Sequence, residues 1–172
     1  MAQYEGSKGN LAKAIASYER ELTPTQSPFD QYLAGKVDAL NDSAKRGFET
    51  FKSMGCVACH SGPVFAGNRK LGAGPGVFQT FPTFMDSPYV EKYDLSKDKG
   101  LKDQHRWRVP SLRNAALTAP YFHNGKVKDL REAIRVMAST QLGNDDIAEH
   151  DVDDIAEFLK FLPGETPAAA KE

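Results

Sequence analysis

The sequence is poor in cysteine, since only two of its 172 residues are cysteines. It also lacks an excess of basic charge: 22 basic residues face 23 acidic ones, a formal net charge of −1 that argues against a nucleic-acid-binding protein. No apolar run approaches the ~18 residues of a membrane span, and no internal repeat is visible. With 40% apolar and 26% charged residues, the chain is expected to form one globular domain with an appended arm.

Both cysteines lie in one pentapeptide, in which two residues separate Cys56 from Cys59 and His60 follows directly. This spacing is typical of the attachment site of a c-type haem, where each thiol adds across a vinyl group and the histidine becomes the fifth iron ligand. A zinc site would need further ligands, and the chain has no other cysteine. A thioredoxin-like dithiol would follow a strand in a βαβ pattern, which the preceding residues do not show. The pentapeptide therefore predicts one covalently bound haem c.

The first twenty residues lack the basic start, apolar core and small-residue cleavage site of a secretory signal. Haem c is attached outside the bacterial cytoplasm, so the pentapeptide nevertheless predicts a periplasmic protein. We therefore expect the sequence to be a mature or recombinant form from which a leader has been removed. Because the haem takes up both cysteines, disulfide use adds nothing about the compartment.

Apolar spacing and capping residues predict an all-α, cytochrome c-like fold with helices around one haem, long loops and little strand. The predicted helices run from Leu11 to a stop at Pro24, from a Ser27–Pro28 cap to Leu33, from Ser43 to Gly55, from Asp129 to Met137, and from a cap at Asp151 to a stop at Pro163–Gly164. We divide the chain into a helical arm or linker (1–42), a haem domain (43–163) and a disordered tail (164–172). The acidic run 145–154 is interpreted as a solvated helix start, with a docking face for a basic partner as the alternative.

A stretch rich in glycine and proline, 61–85, predicts a long loop without regular elements. A loop of this length inside a compact domain needs a reason, and wrapping a flat porphyrin provides one. The apolar lining is then expected from four aromatic residues of the stretch: Phe65, Phe78, Phe81 and Phe84. Residues 86–100 are predicted to be polar and to include an exposed turn, and 109–125 to be tightly turned.

The sixth ligand of the iron decides the chemistry, because a strong ligand favours electron transfer and an empty position favours binding of small molecules. The candidates are the methionines and histidines outside the attachment site: Met54, Met85, Met137, His105, His123 and His150. Met54 lies too close to the cysteines to reach the opposite face of the porphyrin, and His150 is expected to face solvent. Spacing alone leaves Met137, Met85 and His123 open, and core filling is the alternative role of any single methionine.

Basic residues flank the only tryptophan, Trp107, which is interpreted as packing against the haem pocket rather than as an electron conduit. Arg108 and Arg113, with Arg106 as a further candidate, are predicted to pair with the haem propionates, a fixed-charge role that suits arginine. Ordinary surface charge is the alternative for all three.

Several segments together resemble the C-terminal haem domain of the bacterial di-haem cytochrome c peroxidases, a group that includes the related methylamine-utilisation haem enzymes. Three of them match the body of that domain: 46–63 around the pentapeptide, 108–114 (Arg-Val-Pro-Ser-Leu-Arg-Asn) and 117–125 (Leu-Thr-Ala-Pro-Tyr-Phe-His-Asn-Gly). Segments 15–20 and 27–35 resemble the linker that precedes it, and 154–159 resembles its final helix. The resemblance covers nearly the whole chain.

The resemblance implies that this haem is the high-potential, electron-accepting one, held by histidine and methionine. The family's methionine falls on Met137, where the methylamine-utilisation branch has tyrosine. The carbonyls of Thr118 and Pro120 match positions that help hold a calcium ion between the family's two domains. The N-terminal domain of the family, with its peroxidatic haem and the remaining calcium ligands, has no counterpart in this sequence.

These observations predict a one-electron carrier with a haem ligated by His60 and Met137. A second hypothesis is a hydrogen-peroxide-reducing peroxidase, acting with a separately encoded haem subunit or after loss of the methionine bond. A third is a haem-based sensor that exchanges the methionine for a gas. The expected partner is a small redox protein, a cytochrome or cupredoxin, or a haem-containing subunit. Whether the chain is an enzyme stays open, because the family's peroxidatic domain is not part of it.

Overall fold

The computed structural model describes residues 5–21, 26–67 and 77–165. In chain order the elements are α1 (Glu5–Glu21), α2 (Pro28–Leu33), α3 (Asp42–Ser53), β1 (Phe78–Thr80), α4 (Pro88–Lys92), β2 (Arg106–Arg108), α5 (Leu130–Leu142) and α6 (Glu149–Lys160), with 3₁₀ turns at Val37–Ala39, Cys56–Ala58 and Ala115–Leu117. The described part of the chain is helix-rich, as predicted, with one small sheet. Within these ranges no helix is long and apolar enough to cross a membrane.

Some predictions fall partly or wholly outside the described residues. These are the helix stop at Pro24, the centre of the glycine-rich loop (68–76) and the tail from residue 166 onward. The first helix itself is described, and it begins well before the predicted start at Leu11.

Two predicted helix starts are confirmed by their caps. The Ser27 hydroxyl accepts a hydrogen bond from the backbone N–H of Asp30, and the Asp30 carboxylate accepts one from the backbone N–H of Ser27, both at 3.0 Å. At the start of α5, the Asp129 carboxylate accepts from the backbone N–H of Glu132 at 3.0 Å. Short polar side chains at these positions satisfy amide groups that have no partner inside the helix.

The starts of α3 and α6 differ from the prediction. Asn41, not Ser43, caps α3, and its side chain accepts a hydrogen bond from the backbone N–H of Ala44 at 2.8 Å. Several capping residue types stand side by side there, so the local sequence does not choose among them. α6 begins at Glu149, which places Asp151 inside the helix rather than at its cap.

α3 and α6 cross closely, and Gly47 makes the crossing possible. A Cβ atom at Gly47 would lie 1.8 Å from the backbone oxygen of Asp154, so any larger residue would force the helices apart. At the same crossing the Asp154 carboxylate accepts hydrogen bonds from Ser43 at 2.5 Å and from Arg46 Nε at 2.7 Å. Asp154 is 6% exposed. The prediction that 145–154 is solvated is therefore wrong for this residue, whose charge is satisfied by a cation and a hydroxyl.

α5 is longer than predicted, so Met137 lies within the helix rather than at its end. The helix continues to Leu142, and Gly143 ends it in the left-handed conformation at φ +65°. The extension is held by packing, since the residues just after Met137, from Ala138 to Thr140, are all buried.

Two short strands pair in a region predicted to be irregular. β1 and β2 are antiparallel, with Gln79 opposite Trp107 at their centre. The prediction of no regular structure in 61–85 is wrong for β1, because this strand forms only by pairing with residues far along the chain. The helix α4, which a proline opens after a serine cap, was likewise not predicted within 86–100.

The core divides into two apolar clusters. The cysteine-side cluster, so named because Cys56 packs against it, has as buried members Phe29, Leu40, Ala44, Phe51, Phe65, Ile134, Val152, Ile155, Ala156, Phe158, Leu159 and Leu162. The methionine-side cluster, against which Met137 packs, has as buried members Phe81, Leu95, Val127, Ala133 and Val136. α5 contributes to both and so joins them. Of the four aromatic residues predicted to line a pocket, Phe65 and Phe81 are buried and Phe84 is 41% exposed.

Candidate haem-attachment site

The pentapeptide forms a tight turn directly after α3. Gly55 has φ +92°, which glycine adopts without steric cost, and this residue separates the helix from the first cysteine. The backbone N–H groups of Cys59 and His60 both donate to the carbonyl oxygen of Cys56, at 3.2 and 2.9 Å. Both cysteines are half-buried free thiols. The turn therefore holds two thiols and one imidazole in a single compact segment.

The environment of Cys56 does not favour a redox dithiol. Burial raises the pKa of its thiol to about 11, so the thiol stays protonated near neutral pH. Dithiol redox motifs depend instead on a cysteine with a lowered pKa. The packing of Cys56 against apolar residues fits a side chain that is to be joined to an apolar group.

His60 is oriented by a backbone carbonyl. It is 8% exposed, and its Nδ1 lies 3.0 Å from the carbonyl oxygen of Phe65. Because the partner is an acceptor, Nδ1 carries the proton and Nε2 is left as the ligating nitrogen. Burial lowers the pKa of His60 more than the backbone at Phe65 and Pro110 raises it, so the imidazole is in the neutral, metal-binding form near neutral pH. The Phe65 carbonyl could not be found from sequence, since a backbone acceptor carries no residue-type signal.

Arg113, one of the predicted propionate partners, donates to protein groups. Its Nη2 lies 2.5 Å from a carboxylate oxygen of Asp30, and its Nε donates to the carbonyl oxygen of Pro63 at 3.1 Å. The other predicted partner, Arg108, is exposed on β2. Propionate pairing stays a prediction for both arginines, and at Arg113 it would compete with the Asp30 carboxylate.

The candidate sixth ligands lie in different surroundings. Met137 is half-buried against the methionine-side cluster, whereas Met54 packs against the cysteine-side cluster, as Cys56 does. Met85 is 50% exposed, and the side chain of His150 is 79% exposed. Met137 and Cys56 thus lie on different clusters joined by α5. The ligand role of Met137 stays a prediction.

Three ring nitrogens near the strand pair are buried without a protein partner among the described residues. They are Nδ1 of His105, Nε1 of Trp107 and Nε2 of His123. The rings of Trp107 and His123 stack with centroids 4.1 Å apart, and burial lowers the pKa of His123. Buried polar groups normally have a hydrogen-bond partner, and a carboxylate such as a propionate would supply one.

These observations agree with a covalently bound haem. Its attachment requires two thiols and a histidine, and one turn supplies all three. Its apolar body would need apolar contacts, which the two clusters offer, and its carboxylates would need donors, which the unpaired nitrogens offer.

The implied calcium ligands lie on an exposed turn. The peptide bond between Ala119 and Pro120 is cis, and both Thr118 and Pro120 are exposed. Within the described ranges, no group of three or more His, Cys, Asp or Glu side chains could hold a metal ion. Calcium binding through backbone carbonyls stays a prediction.

The helical fold and the turn with two thiols and one imidazole define a class, proteins with a Cys-x-x-Cys-His haem-attachment motif. No protein-family model matches the chain. It is 39% identical to the cytochrome c551 peroxidase of Pseudomonas aeruginosa over 158 residues, which are 92% of this chain and 44% of that protein. It is 37% identical to the cytochrome c peroxidase Ccp of Escherichia coli over 155 residues, 90% of this chain and 32% of that protein.

Two further likenesses concern proteins related to methylamine utilisation. The chain is 28% identical to the methylamine utilization protein MauG of Methylophilus methylotrophus over 175 aligned positions, which cover 92% of this chain and 48% of that protein. A crystal structure of a MauG-like protein associated with microbial copper homeostasis superimposes with a TM-score of 0.58 and 26% identity, over 81% of this chain and 52% of that one. The homologues are therefore cytochrome c peroxidases and MauG-like proteins, and the chain spans less than half the length of the curated relatives it matches.

Proposed function

We propose that the chain is a c-type cytochrome unit that carries single electrons, with one haem attached to the two cysteines and ligated by His60 and Met137. The observation that carries the proposal is the hydrogen bond of 3.0 Å between His60 Nδ1 and the Phe65 carbonyl. It fixes the orientation of the imidazole in the residue directly after the two thiols, and Nε2 is then the nitrogen that would bind the iron. The cytochrome c peroxidase relatives support a haem-based redox role.

When bound, haem c would supply a reversible one-electron couple. The chain's residues would set its properties. The hydrogen bond to a carbonyl makes the His60 imidazole a more basic ligand, whereas the Met137 thioether would raise the potential by favouring the reduced iron. The two apolar clusters would keep water from the iron, which also tunes the potential.

Peroxide reduction is the second candidate, and the names of two relatives favour it: both are peroxidases. The chain matches 44% of one and 32% of the other, so less than half of either protein is represented. Peroxide would then be reduced either at a second haem outside these residues or at this haem, where Met137 would have to give up its place as a ligand.

The proposed location is the periplasm, because haem c is attached outside the bacterial cytoplasm and the relatives are bacterial cytochrome c peroxidases. The proposed partner is a small redox protein, a cytochrome or cupredoxin, or a haem-containing subunit.

Replacement of Met137 by alanine tests the carrier proposal. We expect the oxidised, haem-loaded protein to be low-spin and six-coordinate, with a charge-transfer band from methionine to iron. Met137→Ala should lose that band and lower the reduction potential, because it removes the thioether that favours the reduced iron. Optical and paramagnetic-resonance spectra with a redox titration measure both effects.

Met85→Ala is the matched control, since Met85 is an exposed methionine and its loss should leave the band in place. If Met85→Ala lost the band and Met137→Ala kept it, Met137 would not be the ligand. A high-spin, five-coordinate spectrum of the unaltered protein would contradict the carrier, and turnover of hydrogen peroxide would then separate a peroxidase from a sensor.

A further inference from the structure

The loop that carries the carbonyl partner of His60 is bent sharply at that point. Phe65 has φ +52°, which is uncommon for a residue with a side chain, and its N–H donates to the carbonyl oxygen of Gly62 at 3.1 Å. Such conformations persist only where surrounding contacts hold them. The Phe65 ring is 6% exposed in the cysteine-side cluster, which fixes its side chain but not the peptide groups before it.

Two side chains from one distant segment hold those peptide groups. The Ser111 hydroxyl donates to the carbonyl oxygen of Val64 at 2.7 Å, and Arg113 Nε donates to that of Pro63 at 3.1 Å. The Ser111 hydroxyl oxygen also accepts a hydrogen bond from the backbone N–H of Arg113 at 3.1 Å. The two side chains therefore hold the two peptide groups before Phe65, and the hydrogen bond between Ser111 and Arg113 holds the two side chains in place.

The same guanidinium joins the loop to α2 and to the end of α6. Its Nη1 donates to the Ser27 hydroxyl at 2.8 Å and to the carbonyl oxygen of Leu162 at 3.1 Å, while Nη2 donates to Asp30. The Arg113 side chain is only 12% exposed. Although burial raises the pKa of the Asp30 carboxyl, hydrogen bonds from Arg113 and Ser27 outweigh it and keep the pKa below its ordinary value. Arg113 thus has a fixed carboxylate partner on one side and the loop on the other.

We propose that Ser111 and Arg113 are positioning residues for the His60 imidazole. They hold the peptide groups just before Phe65, and the Phe65 carbonyl in turn accepts the hydrogen bond from His60 Nδ1–H. The same guanidinium of Arg113 also ties this loop to Ser27 and Asp30 at the start of α2. This inference rests on the proposed haem ligation by His60.

The direction of the effect follows from the basicity of the ligand. A histidine that donates its second N–H to a carbonyl is a stronger electron donor to the metal and stabilises the oxidised iron. Loosening the loop weakens that hydrogen bond, so the reduction potential should rise. Loss of a propionate partner acts in the opposite direction, because removal of a nearby positive charge stabilises the oxidised iron and lowers the potential.

The experiment compares two variants. Ser111→Ala removes the hydrogen bond to the Val64 carbonyl without changing charge, and Arg113→Lys keeps the charge but cannot form the forked contacts. On haem-loaded protein we expect both to raise the reduction potential and to speed solvent exchange of the His60 Nδ1–H, followed by NMR of the reduced state. Ser111→Thr keeps the hydroxyl and should restore both values to those of the unaltered protein.

Arg46→Lys is the matched control, because Arg46 makes a similar forked contact with Asp154 away from the loop. It should lower Tm and leave the potential and the exchange rate unchanged. If Ser111→Ala and Arg113→Lys lowered Tm only, as this control does, or lowered the potential, the positioning role would be wrong. The two proposals can be disproved independently. The charge-transfer band tests ligation by Met137, whereas exchange of the His60 Nδ1–H and the reduction potential test the positioning role.

Discussion

The two apolar clusters are built differently. In the cysteine-side cluster, the Phe158 ring lies at a steep angle to two neighbours, with its centroid 5.3 Å from that of Phe29 and 5.5 Å from that of Phe51. In the methionine-side cluster, the half-buried ring of Phe122 stacks parallel on Phe81 at 5.3 Å, and the half-buried rings of Tyr89 and Tyr93 stack at 6.3 Å. Interlocked rings at an angle exclude water on all sides, whereas a half-buried stack leaves one edge for another group to cover.

Their polar groups differ in the same way. Beside the cysteine-side cluster, His60 and Asp154 each have protein hydrogen-bond partners. Beside the methionine-side cluster, the ring nitrogens of Trp107 and His123 have none among the described residues. Protein contacts therefore satisfy the polar groups beside the cysteine-side cluster, whereas the unpaired ring nitrogens beside the methionine-side cluster would need a bound group to satisfy them.

The largest difference in stability between the two clusters should appear when one buried side chain in each is truncated to alanine. Phe158 and Val136 are both fully buried. Phe158→Ala should lower the free energy of unfolding by about 4 kcal/mol and Val136→Ala by about 2 kcal/mol, because the larger ring leaves the larger cavity in a cluster that cannot collapse. Urea denaturation measures both. A greater loss in Val136→Ala would mean that the methionine-side cluster is the better packed of the two.

Acid should weaken the cysteine-side cluster through Asp154. The hydrogen bond from Arg46 holds the pKa of the Asp154 carboxyl below its ordinary value of 3.8. Its stabilising effect is therefore complete above about pH 4 and is lost as the pH falls through the folded-state pKa. Asp154→Asn should cost about 2 kcal/mol at neutral pH, and its difference from the unaltered protein should shrink as the pH falls below about 4.

Asp153→Asn serves as the control for this acid effect, since Asp153 lies next to Asp154 on α6 with its side chain 53% exposed. It should change the stability far less at every pH. Equal pH profiles for the two variants would show that the buried Asp154 carboxylate at the helix crossing is not the source of the acid sensitivity.

The smallest effect should come from the exposed ion pair of Lys160 and Glu157 on α6, whose atoms lie 3.0 Å apart. Such pairs contribute little, because water and salt screen them. Lys160→Ala should change the free energy of unfolding by less than about 0.5 kcal/mol. A loss approaching that of Asp154→Asn would contradict the distinction between the buried carboxylate of Asp154 and the more exposed carboxylate of Glu157 on this helix.

Local signals predicted several elements because their causes lie within a few residues. Ser27 with its following proline and Asp129 mark the true starts of α2 and α5, since a cap acts within one turn. The same signals placed the starts of α3 and α6 wrongly. They also ended α5 at Met137, because the packing that carries it to Leu142 involves residues outside the helix.

Other features needed the tertiary structure. Gly47 gave no sequence signal for a helix crossing, because its role depends on the backbone of Asp154, which comes from the other end of the haem domain. The sequence predicts a propionate partner for Arg113, but it could not show that Asp30 and the Pro63 carbonyl are in reach.

Neighbouring residues alone specify the chemistry of attachment, since two thiols and an imidazole within five positions meet in one turn whatever surrounds them. The orientation of that imidazole was decided only by tertiary structure. Ser111 and Arg113 hold the two peptide groups that precede its carbonyl partner, Phe65. Residues so far apart in sequence meet only when burial of apolar side chains offsets the entropy of closing the chain between them.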